Sequence, residues 1–356
     1  MLGYVPYSFL EEHDISFGDP HAARKLYGLD HFDSLEALKQ LSPYARRKLL
    51  EEAEIPYVSL ALGNYEQLAP VIGWDRFMID RAVYNDTPMP WNFSVNEGNF
   101  DEELIGRNLT GQGYREVRYG DFTYYHVNED MEVDIHSQIG GAVLSQLNRV
   151  AVLDDMLVTA PATGIMTGVL DAMSGDVETV IDSPACRAIA DSLGDVFTAV
   201  LITPERVMNF YVTQTPPSFD FPTAAGWGTL HRYGMLGIGY RNDGKERYWD
   251  TCLYYEDASA AQADAGELVS RLKSYVFYTQ FKPVENVPLT SLYEVGEPII
   301  REYKAGATLT VSCRYLAETT GGNSFTGIVV PARDFLFLAP DPMPYIDTGE
   351  YSTTSA

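Results

Sequence analysis

Along this chain, stretches that alternate apolar and polar residues repeatedly give way to stretches with helical spacing. Residues 91–127 are the clearest case. Trp91, Phe93 and Val95 alternate with Asn92, Ser94 and Asn96, the pattern of a strand with one buried face, and Gly98 closes it. Asn99 is placed to cap a helix, with Glu102 three residues on to complete a capping box. Phe100, Leu104, Ile105 and Leu109 fall on one face of that helix, while Asp101, Glu102, Glu103 and Arg107 face out. Gly111 and Gly113 supply the left-handed stop. Residues 114–119 and 122–127 are rich in aromatic and β-branched side chains, and Gly120-Asp121 between them is a two-residue hairpin turn.

The same grammar recurs. Residues 150–153 and 156–160 make a hairpin across Asp154-Asp155, followed by a helix with Ile165, Met166, Val169, Leu170 and Met173 that ends near Gly175. Ser183-Pro184 opens another helix stopped at Gly194, and residues 196–202 read as a buried strand. Residues 235–241 and 246–255 form a hairpin across Asn242-Asp243-Gly244. Ser259 with Gln262 reads as the capping box of a helix whose apolar face is Ala261, Ala265, Leu268, Val269, Leu272 and Val276. Long strands are expected over residues 289–303 and 308–316, with a last strand or two over 327–339. The first 55 residues look helical and loop-rich, with helices capped at Asp19, Ser34 and Ser42. Residues 57–62 read as a strand, and residues 63–82 as partly helical.

These units predict an α+β protein of antiparallel sheets with helices packed on one face, built from repeated β-hairpin/helix units. Its expected parts are a helical segment (1–55), an α+β domain (56–203), a Pro- and Gly-containing junction (204–229), a second α+β domain (230–339) and a disordered tail (340–356).

Charge narrows the partners. The 25 basic residues against 50 acidic ones give a formal net charge of -25, which argues against nucleic acid and anionic membrane surfaces, since both attract cations. No run of about 20 apolar residues is present, so no membrane-spanning helix is predicted. The first ten residues contain Gly3, Pro6 and Ser8 and lack a basic start, so they do not read as a signal peptide. The expectation is a mature domain whose leader is absent. The three cysteines, Cys186, Cys252 and Cys313, form no CxxC pair. Cys252 and Cys313 fall in expected strands, leaving a disulfide open beside the favoured reading of buried thiols.

The string from Gly98 to Val127, followed by residues 149–175, resembles uncharacterised bacterial secreted or lipoprotein-like domains. The residues that carry the resemblance are Gly98, Phe100, Asp101, Gly113, Tyr114, Tyr119, Gly120, Asp154, Asp171 and Gly175. The opening residues 2–19 also look like the start of the mature part of such proteins. The resemblance spans roughly residues 2–200. It implies an extracytoplasmic location, at the cell envelope or surface, and no established activity. The lipid-bearing cysteine near the start of such proteins is missing here.

Chemical motifs are sparse. The sequence has no GxxxxGK[ST], GxSxG or HExxH, and Gly237-Ile238-Gly239 lacks the third glycine of a dinucleotide fingerprint. Asn128, Asp130, Glu132 and Asp134 alternate in one acidic run, an oxygen-ligand pattern that suits Ca²⁺. An EF-hand is excluded, because its sixth and twelfth positions would be Val133 and Ile139. A calcium site and a solvated acidic turn both stay open, and no other cofactor is expected. Tyr124, Tyr125, Trp227, His231 and Tyr254 are the candidate binding residues, being aromatic or amphipathic side chains of the kind that stack on ligands. Asp134 and His136, with Ser137 nearby, and His231 are the groups a catalytic site would use.

The reading that follows is a non-enzymatic extracytoplasmic protein of the cell envelope that binds a small ligand or an envelope protein. Two alternatives accompany it: a structural subunit of a surface assembly, and a hydrolase whose cleft is built from residues 128–137 and 216–231; a homo-oligomer stays open beside them.

Overall fold

The computed structural model describes residues 1–26, 28, 40, 68–85, 92–205, 228–277 and 287–316. The helices expected at Ser34 and Ser42, the strand at 57–62, Trp91, most of the 204–229 junction, the 327–339 strands and the tail lie outside these residues. The described residues fall into two compact units. The first comprises residues 1–183 and 195–201, the second residues 184–194 and 202–316.

In the first unit the strands are β1 (Ile15–Gly18), β2 (Ile79–Asn85), β3 (Ser94–Gly98), β4 (Arg115–Tyr119), β5 (Phe122–His126), β6 (Arg149–Leu153), β7 (Met156–Ala160) and β8 (Thr198–Ile202). They lie in the order β8-β1-β2-β3-β7-β6-β5-β4, and every register determined between them is antiparallel. Helices α1 (Tyr7–Glu12), α2 (Pro20–Leu26), α3 (Glu102–Gly111), α4 (Gln138–Val143) and α5 (Thr163–Ser174) pack around them. Ile105 and Leu109 of α3 and Ile139 and Val143 of α4 share one core with Tyr84, Val150, Val152 and Leu157. The α+β architecture read from the patterning is the one found.

Three local readings change. The capping box at Asn99 is not formed, because its N–H donates to the Met78 carbonyl (3.1 Å). The cap is Asp101, whose carboxylate accepts from Leu104 N (2.9 Å). Phe100 and Ile105 then bracket the helix start in one core, the hydrophobic-staple positions. The helical expectation for residues 1–55 misses β1, a four-residue strand paired on both edges. The partly helical reading of 63–82 holds at residues 68–72, which are helical, but misses the start of β2, a strand with five of its seven residues buried. A strand buried on both faces loses the alternation that betrays an amphipathic one.

The second unit contains α6 (Pro184–Leu193), β9 (Met235–Asn242), β10 (Arg247–Tyr255), α7 (Ala258–Ser274), the two-stranded β11 (Val276–Phe277) and β12 (Val287–Pro288), β13 (Tyr293–Val295), β14 (Ile299–Tyr303) and β15 (Gly306–Tyr315). Antiparallel pairing runs β9-β10-β15, with β13 and β14 both on the far edge of β15. The long strand expected over 289–303 is therefore broken into two pieces on one edge. Pro298 has no N–H to donate, while the Gly296 N–H still reaches Ser312 O (2.8 Å). Gly237 in β9 leaves no room for a Cβ against Ile189, which lets α6 lie directly on the strand.

At α7 the expected Ser259 cap gives way to Asp257. Its carboxylate accepts from the Ser259 N–H (2.9 Å) and the Ser259 hydroxyl (2.6 Å). The cysteines are three buried free thiols. Cys252 pairs with Thr310 across β15 while Cys313 pairs with Trp249, so the two thiols are out of register for a disulfide. Burial pushes both thiols up to about 12, which keeps them protonated. Among the described residues no helix is long and apolar enough to cross a membrane.

Candidate functional site

The acidic run of the first unit is tied down from beneath. Arg149, only 1% exposed, opens β6. Its Nη1 donates to the carbonyls of Val127 (2.9 Å), Asn128 (3.2 Å) and Asn148 (2.9 Å), and its Nε to Thr163 Oγ1 (3.0 Å). Its Nη2 meets Asp130 Oδ1 at 2.5 Å. Asp130 Oδ1 also accepts from the N–H and hydroxyl of Thr163, both at 2.8 Å. Burial alone would raise the Asp130 carboxyl, but the Thr163 donors and the Arg149 guanidinium outweigh it and hold the group below its ordinary value. Asn148 Nδ2 binds the carbonyls of Glu129 (3.2 Å) and Glu132 (2.8 Å).

The other members of the run are engaged within the loop. Glu132 accepts from Glu129 N (2.8 Å), and Asp134 from His136 N (3.0 Å). The Asn128 carbonyl meets His126 Nε2 (2.9 Å) as well as Arg149. Ser137 is the N-cap of α4, its hydroxyl accepting from Gly140 N (2.9 Å). Among the described residues no three His, Cys, Asp or Glu side chains are placed to hold a metal ion, so Asp130, Glu132 and Asp134 form no such group. Arg149 was not singled out from sequence. Its signal was a cation at the head of the apolar run RVAVL.

Of the candidate binding residues, Tyr124 is buried in β5. Tyr125 rests its hydroxyl on Gly106 of α3, where a Cβ would clash. Trp227 lies outside the described residues. Tyr254 is buried, and its hydroxyl donates to Ala305 O (2.5 Å).

His231 is different, because the fold brings to it Asp264, which sequence reasoning passed over, and the strand tyrosine Tyr255. Its Nδ1 meets Asp264 Oδ1 at 2.6 Å, and its backbone N–H donates to Asp264 Oδ2 (2.7 Å). The Tyr255 hydroxyl donates to the same Oδ2 (2.8 Å). Burial first, and then the Asp264 charge, raise the Tyr255 phenol, so it remains a donor. The Asp264 side chain is 3% exposed and that of His231 58%. Arg271, two turns along α7 and fully buried, donates to Gly228 O and to Glu267 Oε1 (2.9 Å). Asp264 and Arg271 therefore clamp residues 228–231 along the helix. The sequence signal was a carboxylate and a guanidinium on the same stripe as Ala261, Ala265, Leu268 and Leu272. Asp134 and His136 belong to the first unit and His231 to the second.

Among the described residues of the first unit the most exposed regular element is β4. Only Val117 among its five residues is even half-buried. Its partner β5 meets β6 through Tyr125 and His126 alone, so the tip of the hairpin extends past β6. A positive φ at Gly120 closes a two-residue turn with Tyr119 paired to Phe122. In such a hairpin the closing pair exchanges both backbone bonds, and bonding alternates from there. Arg115, Val117 and Tyr119 therefore turn their N–H and C=O toward β5, and Glu116 and Arg118 turn theirs away. Among the described residues β4 has no second strand neighbour. A Cβ placed on Gly113 at one end or Gly120 at the other would meet nothing described within 4 Å. The Tyr119 hydroxyl donates to Asp171 Oδ1 of α5 (2.9 Å), which steadies the tip.

Fold and exposed edge together define an α+β protein with antiparallel pairing and, among the described residues, an open strand at one sheet border. The sequence matches no family model, and no curated protein matches it. Two solved structures, crystal forms III and I of TP0453, are similar over 93% and 94% of this chain and 97% of theirs. Their identities are 8% and 9%, with a TM-score of 0.39 in each case.

Proposed function

We propose that the protein is a non-enzymatic, partner-binding component of the bacterial cell envelope that works outside the cytoplasm and makes its contact through β4. The open edge carries this reading. Glu116 and Arg118 present outward-facing backbone groups on a strand with no second neighbour among the described residues, and such an edge is a template for an added strand. The net charge of -25 and the resemblance to secreted and lipoprotein-like domains support the location. Two experiments test the reading. Fractionation of cells expressing the protein from its natural gene is expected to recover it with the envelope, and recovery in the cytosol would end that part. A photocrosslinking residue at Glu116 is expected to give one discrete adduct in those cells, while the same residue at the exposed Lys273 gives none. No adduct at position 116 would count against the edge.

A second reading, a hydrolase, rests on His231. A buried carboxylate orients its ring, and the Nε2 atom lies on the far side of that ring from the carboxylate, as in base-orienting pairs. Hydrolysis of ester, peptide or phosphate substrates that disappears in His231→Ala would favour it.

A further inference from the structure

The order of charges along β4 points to what the edge receives. We propose that β4 pairs antiparallel with β4 of a second copy of this chain, in the register centred on Val117. This deepens the partner-binding reading and rests on it.

The backbone phase restricts the choice. Only Glu116 and Arg118 turn N–H and C=O outward, so a second β4 bonds only where these residues face one another. Three antiparallel registers satisfy that. One sets Glu116 opposite Glu116, and a second sets Arg118 opposite Arg118. The third sets Glu116 opposite Arg118 twice. The first two place like charges directly across the new ladder, which is unfavourable, and the third places opposite charges there.

The third register also gives the longest overlap, because all five residues of Arg115–Tyr119 find a partner. Val117 meets its own copy at the two-fold axis, and Arg115 lies opposite Tyr119, where a guanidinium can stack on the ring. The Tyr119 hydroxyl is already engaged with Asp171, leaving the ring face for that contact. The sequence REVRY is thus self-complementary when read against itself in reverse, as a two-fold interface requires. No ion pair links Arg115, Glu116 or Arg118 to another described side chain. Among the described residues, the Arg118 side chain donates only to the Gly120 carbonyl of its own turn (3.3 Å).

Sedimentation of the full chain from about 1 µM to about 1 mM, the range of weak and transient interfaces, tests the pairing. The wild-type chain is expected to dimerise within it. Glu116→Arg and Arg118→Glu each set two like-charge pairs in the homodimer and are expected to weaken it at least about tenfold. Mixed together, the two variants face each other with opposite charges at both pairs, so the mixture is expected to dimerise although neither variant does alone. The double variant Glu116→Arg/Arg118→Glu is expected to dimerise by itself. Rescue in the mixture is an outcome misfolded variants could not give. A monomeric wild-type chain, single variants that still dimerise, or a mixture that does not, would each overturn the pairing. If the wild-type chain is monomeric while a crosslinker at position 116 still yields a discrete adduct, the second copy falls and partner binding stands. A monomer with no adduct ends both.

Discussion

Two charged ties, one in each unit, have opposite polarity. In the first unit the cation is buried and the anion exposed: the Arg149 side chain is 1% accessible and that of Asp130 49%. In the second unit the anion is buried and the ring exposed, with Asp264 at 3% and His231 at 58%. The buried member does the structural work in both. Arg149 gathers the carbonyls of Val127, Asn128 and Asn148 where the β5–β6 pairing ends. Asp264 gathers a backbone N–H, a ring N–H and a phenol. The exposed member is then the variable one. Asp130 spends its carboxylate inward, on Arg149 and Thr163, and is held there. His231 spends only one side of its ring, and the other side stays turned from the carboxylate. An exposed group at the mouth of a buried network is therefore a candidate site only when the network leaves part of it over.

That contrast can be broken by removing each member in turn. Arg149→Met should cost the most, about 3 kcal/mol or more in denaturant unfolding, because the Val127 carbonyl and the Asp130 carboxylate lose the guanidinium, and the carbonyls of Asn128 and Asn148 keep only His126 Nε2 and the Val127 N–H. A cost below about 1 kcal/mol would mean that water replaces the guanidinium and that the tie is dispensable. Asp264→Ala should cost about 2 kcal/mol, since the buried Tyr255 hydroxyl and the His231 N–H lose their acceptor. His231→Ala should cost about 1 kcal/mol or less, because its exposed ring contributes one side-chain bond while the backbone bond to Asp264 survives. If it costs as much as Asp264→Ala, the exposed member is structural too and the contrast fails.

The smallest effect concerns acid. The Asp130 carboxyl is held below its ordinary value of 3.8, so its contribution is complete above that value and is lost as pH falls through the lower, folded one. The stability difference between wild type and Asp130→Asn should therefore be constant from neutrality down to about pH 5 and shrink below the ordinary value. A difference that stays flat to pH 2 would show that Asp130 titrates no differently in the folded and unfolded chains.

Short-range elements were legible wherever one face of the element is wet. The hairpins around Gly120-Asp121 and Asp154-Asp155, the stop of α5 at Gly175 and the stop of α6 at Gly194 fall where turn residues and periodicity put them. Caps were misread by two residues at both α3 and α7. Asn99 and Ser259 are good capping residues, and the chain nonetheless uses Asp101 and Asp257, whose positions suit the core contacts of Phe100 and Ala261. β1 and the second half of β2 were missed because strands enclosed on both faces carry no alternation. Among site residues, His231 was visible as an amphipathic side chain. Its partner Asp264 lies 33 residues away, and neither that residue nor Tyr255 carries a local mark that would join them.

The amino-acid sequence by itself determined the α+β class, the hairpin and helix punctuation, the charge balance and the candidacy of His231, since each depends on side chains within a turn or two of one another. Tertiary structure alone decided which charged groups share a carboxylate, that Asp130 faces Arg149 and His231 faces Asp264, and that β4 ends up at a sheet border. Those outcomes depend on strand order, and strand order is set by the burial of many distant apolar residues at once, which no local pattern encodes.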